Sequence, residues 1–241
     1  MKTRKIIIVL LLALLGPISS FAQRSEAEAI LNKSKAYFEN FSSFKGELSY
    51  TLFRDKENPV VIGSYDGILV KRGDDIYLKI HNTEMLLKNG SMIKVNHDQK
   101  AMEFNAVEGK GVSQNPIDLK QYLQLFSEID VKEEGSETVC VLTTPKYTQL
   151  PYGAVELTFD SKTGALHKQV LTLVNPGAIP NENGQPDNSL KYLAIDFKNI
   201  DPNPAGIDNL LSISSYIKGS DNAKSPASEL AGYKFIDRTK K

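Results

Sequence analysis

The chain has no Trp, one Cys and three His among 241 residues. A single thiol, Cys140, rules out an internal disulfide. Its setting in Thr138-Val139-Cys140-Val141-Leu142 reads as an inert thiol buried in an apolar strand. His81, His97 and His167 have no second His or Cys at metal-ligand spacing, so no metal site is read from them. No Gly-x-Ser-x-Gly turn presents a nucleophile. No Gly-rich phosphate loop opens a helix. The acidic pairs Asp74-Asp75 and Glu133-Glu134 fall in turns, where solvation accounts for them. No enzymatic activity and no cofactor are expected. Lys plus Arg equals Asp plus Glu, 29 each, and no basic stripe is interleaved with aromatics. Nucleic acid is therefore not an expected partner.

Long apolar runs are also scarce. The longest, Ile6 to Leu15, follows Lys2, Arg4 and Lys5 and is broken by Gly16-Pro17; Ser20 and Ala22 then supply small residues. That order is a secretory leader with its cleavage site, and the run is too short for the ~20 residues a membrane-spanning helix needs. Residues 1–22 are expected to be a signal peptide, 23–218 one domain and 219–241 a polar C-terminal extension. The expected location is the periplasm.

What the sequence has in quantity is alternation. Between Gly63 and Phe104, short runs of alternating apolar and polar residues are separated by Arg72-Gly73-Asp74-Asp75, Lys88-Asn89-Gly90-Ser91 and Asn96-His97-Asp98-Gln99. A period of two puts one set of side chains on one face of a strand, and Asn, Asp and Gly accept the positive φ of tight hairpins. These signals predict an antiparallel meander. Phe44–Phe53 predicts a long strand before it, and Val60–Lys71 the next one, bent at Gly63 and Gly67. Upstream, Ser25 with Glu28 forms a capping box, and Ala27, Ile30, Leu31, Ser34, Phe38 and Phe41 recur at helical spacing. A helix is expected over about 25–41. Asn115-Pro116 starts a second helix carrying Ile117, Tyr122, Leu123, Leu125 and Phe126. Strands return at Thr138–Thr144, Ala154–Asp160, Ala165–Val174 and Leu190–Phe197. Pro176 to Ser189 reads as a long exposed loop, and Leu230–Ile236 as a short edge strand.

The capped helix, then Phe44-Lys45-Gly46-Glu47-Leu48, then the run from Gly67 to Leu78, then Leu87-Lys88-Asn89-Gly90-Ser91-Met92-Ile93-Lys94-Val95 resembles the periplasmic lipoprotein-carrier family (LolA-like). The resemblance covers residues 25–200 and implies an α+β fold: a curved antiparallel incomplete β-barrel, or half-barrel, with helices covering the open concave face. It also implies a non-enzymatic carrier or chaperone that binds acyl chains of lipoproteins, or another hydrophobic ligand. An inner-membrane release complex or an outer-membrane acceptor would be its protein partner. In that family an arginine on the second conserved strand helps lid helices close. Tyr77 stands at that place here, and Gly73 replaces a proline. The expected cavity residues are Leu48, Tyr50, Leu52, Ile68, Val70, Leu78, Ile80, Ile93, Val95, Met102 and Phe104, with Leu123 and Phe126 closing over them. The alternative reading is a cell-envelope interaction or accessory protein that uses the same scaffold, its C-terminal extension and the 176–189 loop to hold a protein partner.

Overall fold

A computed structural model describes residues 16–106, 120–174, 185, 189–219 and 224–239. The expected leader core, the 107–119 segment with Asn115-Pro116 and Ile117, and most of the 176–189 loop lie outside these residues. The elements run α1 (Gly16–Glu39), β1 (Ser43–Arg54), β2 (Val60–Arg72), β3 (Asp75–Ile80), β4 (Thr83–Lys88), β5 (Ser91–Asn96) and β6 (Ala101–Ala106). A 3-10 helix, Lys120–Leu125, precedes β7 (Glu128–Glu134), β8 (Glu137–Thr143), β9 (Tyr152–Asp160), β10 (Leu166–Leu173) and β11 (Lys191–Asp201). The last strands are β12 (Ile217–Lys218), β13 (Ser225–Pro226) and β14 (Lys234–Asp237).

Twelve strands hydrogen-bond in the order β14-β6-β5-β4-β3-β2-β1-β11-β10-β9-β8-β7. The order is open: its end strands, β7 and β14, do not pair with each other. This is the α+β half-barrel class expected from the sequence. No described helix is long and apolar enough to cross a membrane.

The chain divides into two compact units. The first holds Met1–Phe38, Leu52–Val61 and Pro116–Ala194. Its helix buries Ala27, Leu31, Ser34 and Phe38, a stripe at helical spacing. Its strands β7 to β10 form an antiparallel meander with Val131 opposite Cys140 and Cys140 opposite Leu157. The Cys140 thiol is fully buried, and burial pushes its pKa up to about 12, which keeps it protonated and unreactive. Side chains from α1 fasten the helix to this meander. Gln23 Oε1 accepts from the Val131 amide at 2.6 Å. Arg24 donates to the carbonyls of Leu123 (3.2 Å) and Phe126 (3.1 Å). Lys33 Nζ donates to Ser161 O at 2.6 Å. Gly164 sits at φ +82, and a Cβ there would stand 3.0 Å from the Lys33 backbone, so this turn needs glycine twice over.

The helix begins earlier than its sequence signal. Ser25, the expected cap, lies inside α1, which starts at Gly16. The physical reason lies just upstream of it: Ala22, Gln23 and Arg24 are good helix formers, and two of them find partners in the same unit. Of the expected second helix, the described part is the 3-10 turn Lys120–Leu125.

The second unit holds Glu39–Thr51, Ile62–Asn115 and Ile195–Lys241. Its meander β2 to β6 uses the turns read from the sequence, with Gly73, Asn89 and Gly90 at positive φ, and one more between β3 and β4, where His81, expected in a strand, takes positive φ. The registers are continuous. Val70 faces Tyr77, Tyr77 faces Leu86, Leu86 faces Ile93 and Ile93 faces Phe104. At the sheet's end β14 joins β6 in parallel, with Phe235 beside Met102. Residues after 218 thus take part in the unit's core: Ala227 and Leu230 are buried. The run Leu230–Ile236, read as a short edge strand, supplies β14.

Candidate functional site

The registers assign every side chain of the second unit's meander to one of two faces. On the first face stand Ile68, Val70, Tyr77, Leu86, Ile93, Val95, Met102 and Phe104. The C-terminal segment covers it: Ile207, Leu211, Tyr216, Ile217 and Leu230 are buried in the same cluster, with Leu210, Ile213 and Phe235 packed against it. This face is a filled core.

The second face carries Leu69, Ile76, Leu78, Ile80, Met85, Leu87 and Met92 from β2 to β5. Leu48 and Tyr50 of β1 share it, since a Cβ on Gly67 would meet Tyr50 Cε2 at 2.9 Å and Leu48 Cβ at 3.4 Å. Leu48, Leu69, Ile76 and Leu87 are buried, whereas Tyr50, Leu78, Ile80, Met85 and Met92 are half-buried. Burial pushes the Tyr50 hydroxyl up to about 12, so it stays neutral on this apolar surface.

The cavity residues expected from the sequence therefore do not form one surface. Leu48, Tyr50, Leu78 and Ile80 share the second face. Ile68, Val70, Ile93, Val95, Met102 and Phe104 point the other way. Leu52, Leu123 and Phe126 belong to the first unit, where Leu123 and Phe126 are buried and Phe126 stacks on Tyr152 at 6.5 Å between ring centroids. The reason lies in strands that are apolar on both sides. Ile68-Leu69-Val70 and Met85-Leu86-Leu87 are unbroken apolar runs, as strands buried on both faces require. Alternation alone cannot orient such a strand. The pairing of Arg72 with Asp75 across Gly73-Asp74 does, because it sets Val70 opposite Tyr77 rather than Ile76.

Sequence reasoning also missed a polar cluster at the margin of the first face. Glu84 of β4 is its centre. Its Oε1 accepts from His97 Nε2 at 3.0 Å, with Lys79 Nζ at 3.5 Å, and its Oε2 accepts from the Tyr216 hydroxyl at 3.1 Å. His97 Nδ1 lies 2.8 Å from the Tyr233 hydroxyl, within hydrogen-bond distance. Burial pushes Glu84 upward, but the hydrogen bonds from His97 and Tyr216 and the Lys79 charge outweigh it and hold the carboxyl below its ordinary value. Burial, and then the Glu84 charge, raises both Tyr77 and Tyr216, so neither ionises near neutrality. A cavity of about 570 Å³ opens beside the cluster, lined by Glu84, His97, Tyr216, Lys218, Ser228 and Glu229 among others. Lone polar residues on an alternating strand give no warning of this cluster, because Tyr216 and Tyr233 lie more than a hundred positions from Glu84 and His97. Two of the four groups, Tyr216 and Tyr233, come from the C-terminal segment. The cluster thus fastens that segment to the sheet.

A depressed carboxyl pKa stabilises the fold above the unfolded-state value, and that contribution is lost as pH falls through the folded value. Glu84→Gln is therefore expected to lower the thermal midpoint at neutral pH, by the equivalent of about 1–3 kcal/mol for charge-assisted bonds lost in a half-buried site. The gap from the wild type should narrow as pH falls below the ordinary carboxylate range, through which the native carboxylate is itself protonated. Thermal melts from pH 3 to pH 8 measure this; a constant gap would refute it.

No family model and no curated protein matches the sequence. Among solved structures, the chain is similar to a LolA superfamily protein from Nitrosomonas europaea, at 13% identity over 75% of this chain and 96% of that one, TM-score 0.35. It is similar to an uncharacterised conserved protein from Thermus thermophilus, at 9% identity over 88% and 99%, TM-score 0.44. It is likewise similar to the Pseudomonas aeruginosa MucA/MucB complex, at 15% identity over 83% of this chain and 74% of that one, TM-score 0.38.

Proposed function

We propose that this protein is a carrier that holds a hydrophobic ligand, such as the acyl chain of an envelope lipoprotein, against the second face of the β2–β5 meander. One observation carries the reading: Tyr50, Leu78, Ile80, Met85 and Met92 form an apolar sheet surface that remains partly open to solvent. A fully packed core would close such side chains off, as it does on the opposite face. An acyl chain offers almost no directional chemistry, so area is what a site for it needs, at about 25 cal/mol per Å² removed from water. Two flexible methionines suit a surface that must fit chains of different length and kink. The leader-like N-terminus, read from the sequence, supports a place in the cell envelope.

The test is saturable binding of a fluorescent fatty acid by the purified protein, with bound lipid identified by native mass spectrometry. Ile80→Asp and Met85→Asp place a charge on the face and are expected to weaken binding about tenfold or more each. Lys168→Asp, exposed on β10 in the first unit, should change little. Absence of saturable binding by the wild type, or equal affinity in all variants, would dismiss the carrier reading.

A further inference from the structure

Apart from Tyr65, the large apolar side chains left exposed among the described residues are Val60, Val61, Leu125, Tyr147, Val174 and Leu190. All six belong to the first unit. They also lie at one end of its strands. Leu125 precedes β7, whose flanking Ser127 amide donates to Thr143 O at the end of β8, 2.9 Å away. Tyr147 stands on the β8–β9 loop, closed by Thr144 N to Gly153 O at 2.9 Å. Val174 ends β10, its amide on Pro151 O at 2.9 Å, and Leu190 precedes β11 by one residue. Phe53, near the end of β1, stacks on Tyr192 of β11 at 5.4 Å, so Val60 and Val61, across the short loop from β1, stand at this end too. The most exposed are Tyr147 at 89%, Val61 at 60% and Leu190 at 57%.

We propose that this end of the first unit docks on a phospholipid bilayer, with Tyr147, Val61 and Leu190 inserting at the interface. The chemistry favours lipid over a protein partner. The six are single apolar side chains left open to solvent among the described residues. They also arise from separate strand ends and loops rather than from one continuous face, as shallow insertion into a fluid surface permits. Tyr147 has the apolar ring and polar tip that settle between acyl chains and headgroups, and the neighbouring Lys146 ammonium, 5.8 Å from its ring centroid, is placed to meet phosphate. Lys146 and Tyr147 also wall a cavity of about 630 Å³ with Thr144, Thr148, Gly153 and Val174. Charge is not the main driver: Asp55 and Glu57 on the β1–β2 loop offset Lys146, and Lys56 is engaged by Glu156 at 2.6 Å. Docking at this end needs no ligand on the second unit's meander and stands independently of the carrier reading.

The chain has no Trp, so Tyr147→Trp creates a single fluorescent reporter. Vesicles of phosphatidylethanolamine and phosphatidylglycerol should shift its emission to the blue, and bromine-labelled acyl chains should quench it. A Tyr65→Trp reporter, exposed in the second unit, should not respond. The triple variant Val61→Ser, Tyr147→Ser, Leu190→Ser should raise the lipid concentration for half-maximal cosedimentation by about tenfold or more, with an unchanged melting profile, and high salt should weaken wild-type binding only slightly. An unresponsive Tyr147→Trp reporter, or vesicle binding that the triple variant retains, overturns the proposal. So does wild-type self-association without vesicle binding that the triple substitution abolishes, which would assign this end to protein contact.

Discussion

A chain ending at Lys218 is expected to lose its cooperative fold or to melt far below the full-length protein. The residues removed look dispensable by composition: Gly219 to Lys241 is polar except for one short run. In the structure that run is Leu230, buried in the core cluster, and β14, paired along β6 with Lys234 N on Lys100 O at 2.8 Å. Deleting it also takes Tyr233 from His97 and bares one side of Val95, Met102 and Phe104. Leu230→Ala alone should cost about 2–5 kcal/mol, the range for a large-to-small change in a packed core. The truncation combines that loss with an exposed sheet edge and an uncovered apolar face, and so approaches the whole stability of an ordinary domain, about 5–15 kcal/mol. Denaturant titration of the full chain, of Leu230→Ala and of the truncation would show this ordering. Equal midpoints for the full and truncated chains would mean that the segment merely rests on the sheet.

Gly67→Val should strongly destabilise the second unit. A Cβ at this position would stand 2.7 Å from the Lys79 carbonyl oxygen and 2.9 Å from the Tyr50 ring. The first contact is with backbone, which cannot swing aside, and a β-branched residue adds two further methyl groups on the same side. Overpacking of this kind costs about 1–3 kcal/mol when neighbours can yield, and more when one of them is a strand carbonyl. Gly67→Ala should fall between wild type and valine in urea midpoint. Because the intruding atoms sit between Leu48 and Tyr50, both variants should also weaken fatty-acid binding on that face. A valine variant of native stability would show that β1 and β2 separate easily there.

The alternating pattern and the turns at 72–75, 88–91 and 96–99 mark the β2–β3, β4–β5 and β5–β6 hairpins, but the tight β3–β4 turn, with His81 at positive φ, is not among the turns read from the sequence. The same reasoning stalls where the information is not local. Ile68-Leu69-Val70 gives no hint of which side is roofed; only the register against β3 decides it. The Glu84–His97–Tyr216–Tyr233 cluster draws on elements far apart in sequence, so no spacing rule marks it. The start of α1 departs from its signal for a simpler reason. The Ser25–Glu28 pair fits a cap, but Gln23 and Arg24 commit their side chains to Val131, Leu123 and Phe126, and those tertiary bonds hold an upstream turn helical. The two surfaces of the meander look alike in the sequence because both are apolar; they differ in what covers them.

Cys140, sealed within β8, gives the protein a practical property. Maleimides and other thiol probes should leave the native chain untouched, so a cysteine introduced on the surface can carry a dye or spin label with no need to replace the natural one. Under mild denaturant the same sulfur becomes a stopwatch: the pace at which it is alkylated reports how often the β7–β10 sheet comes apart.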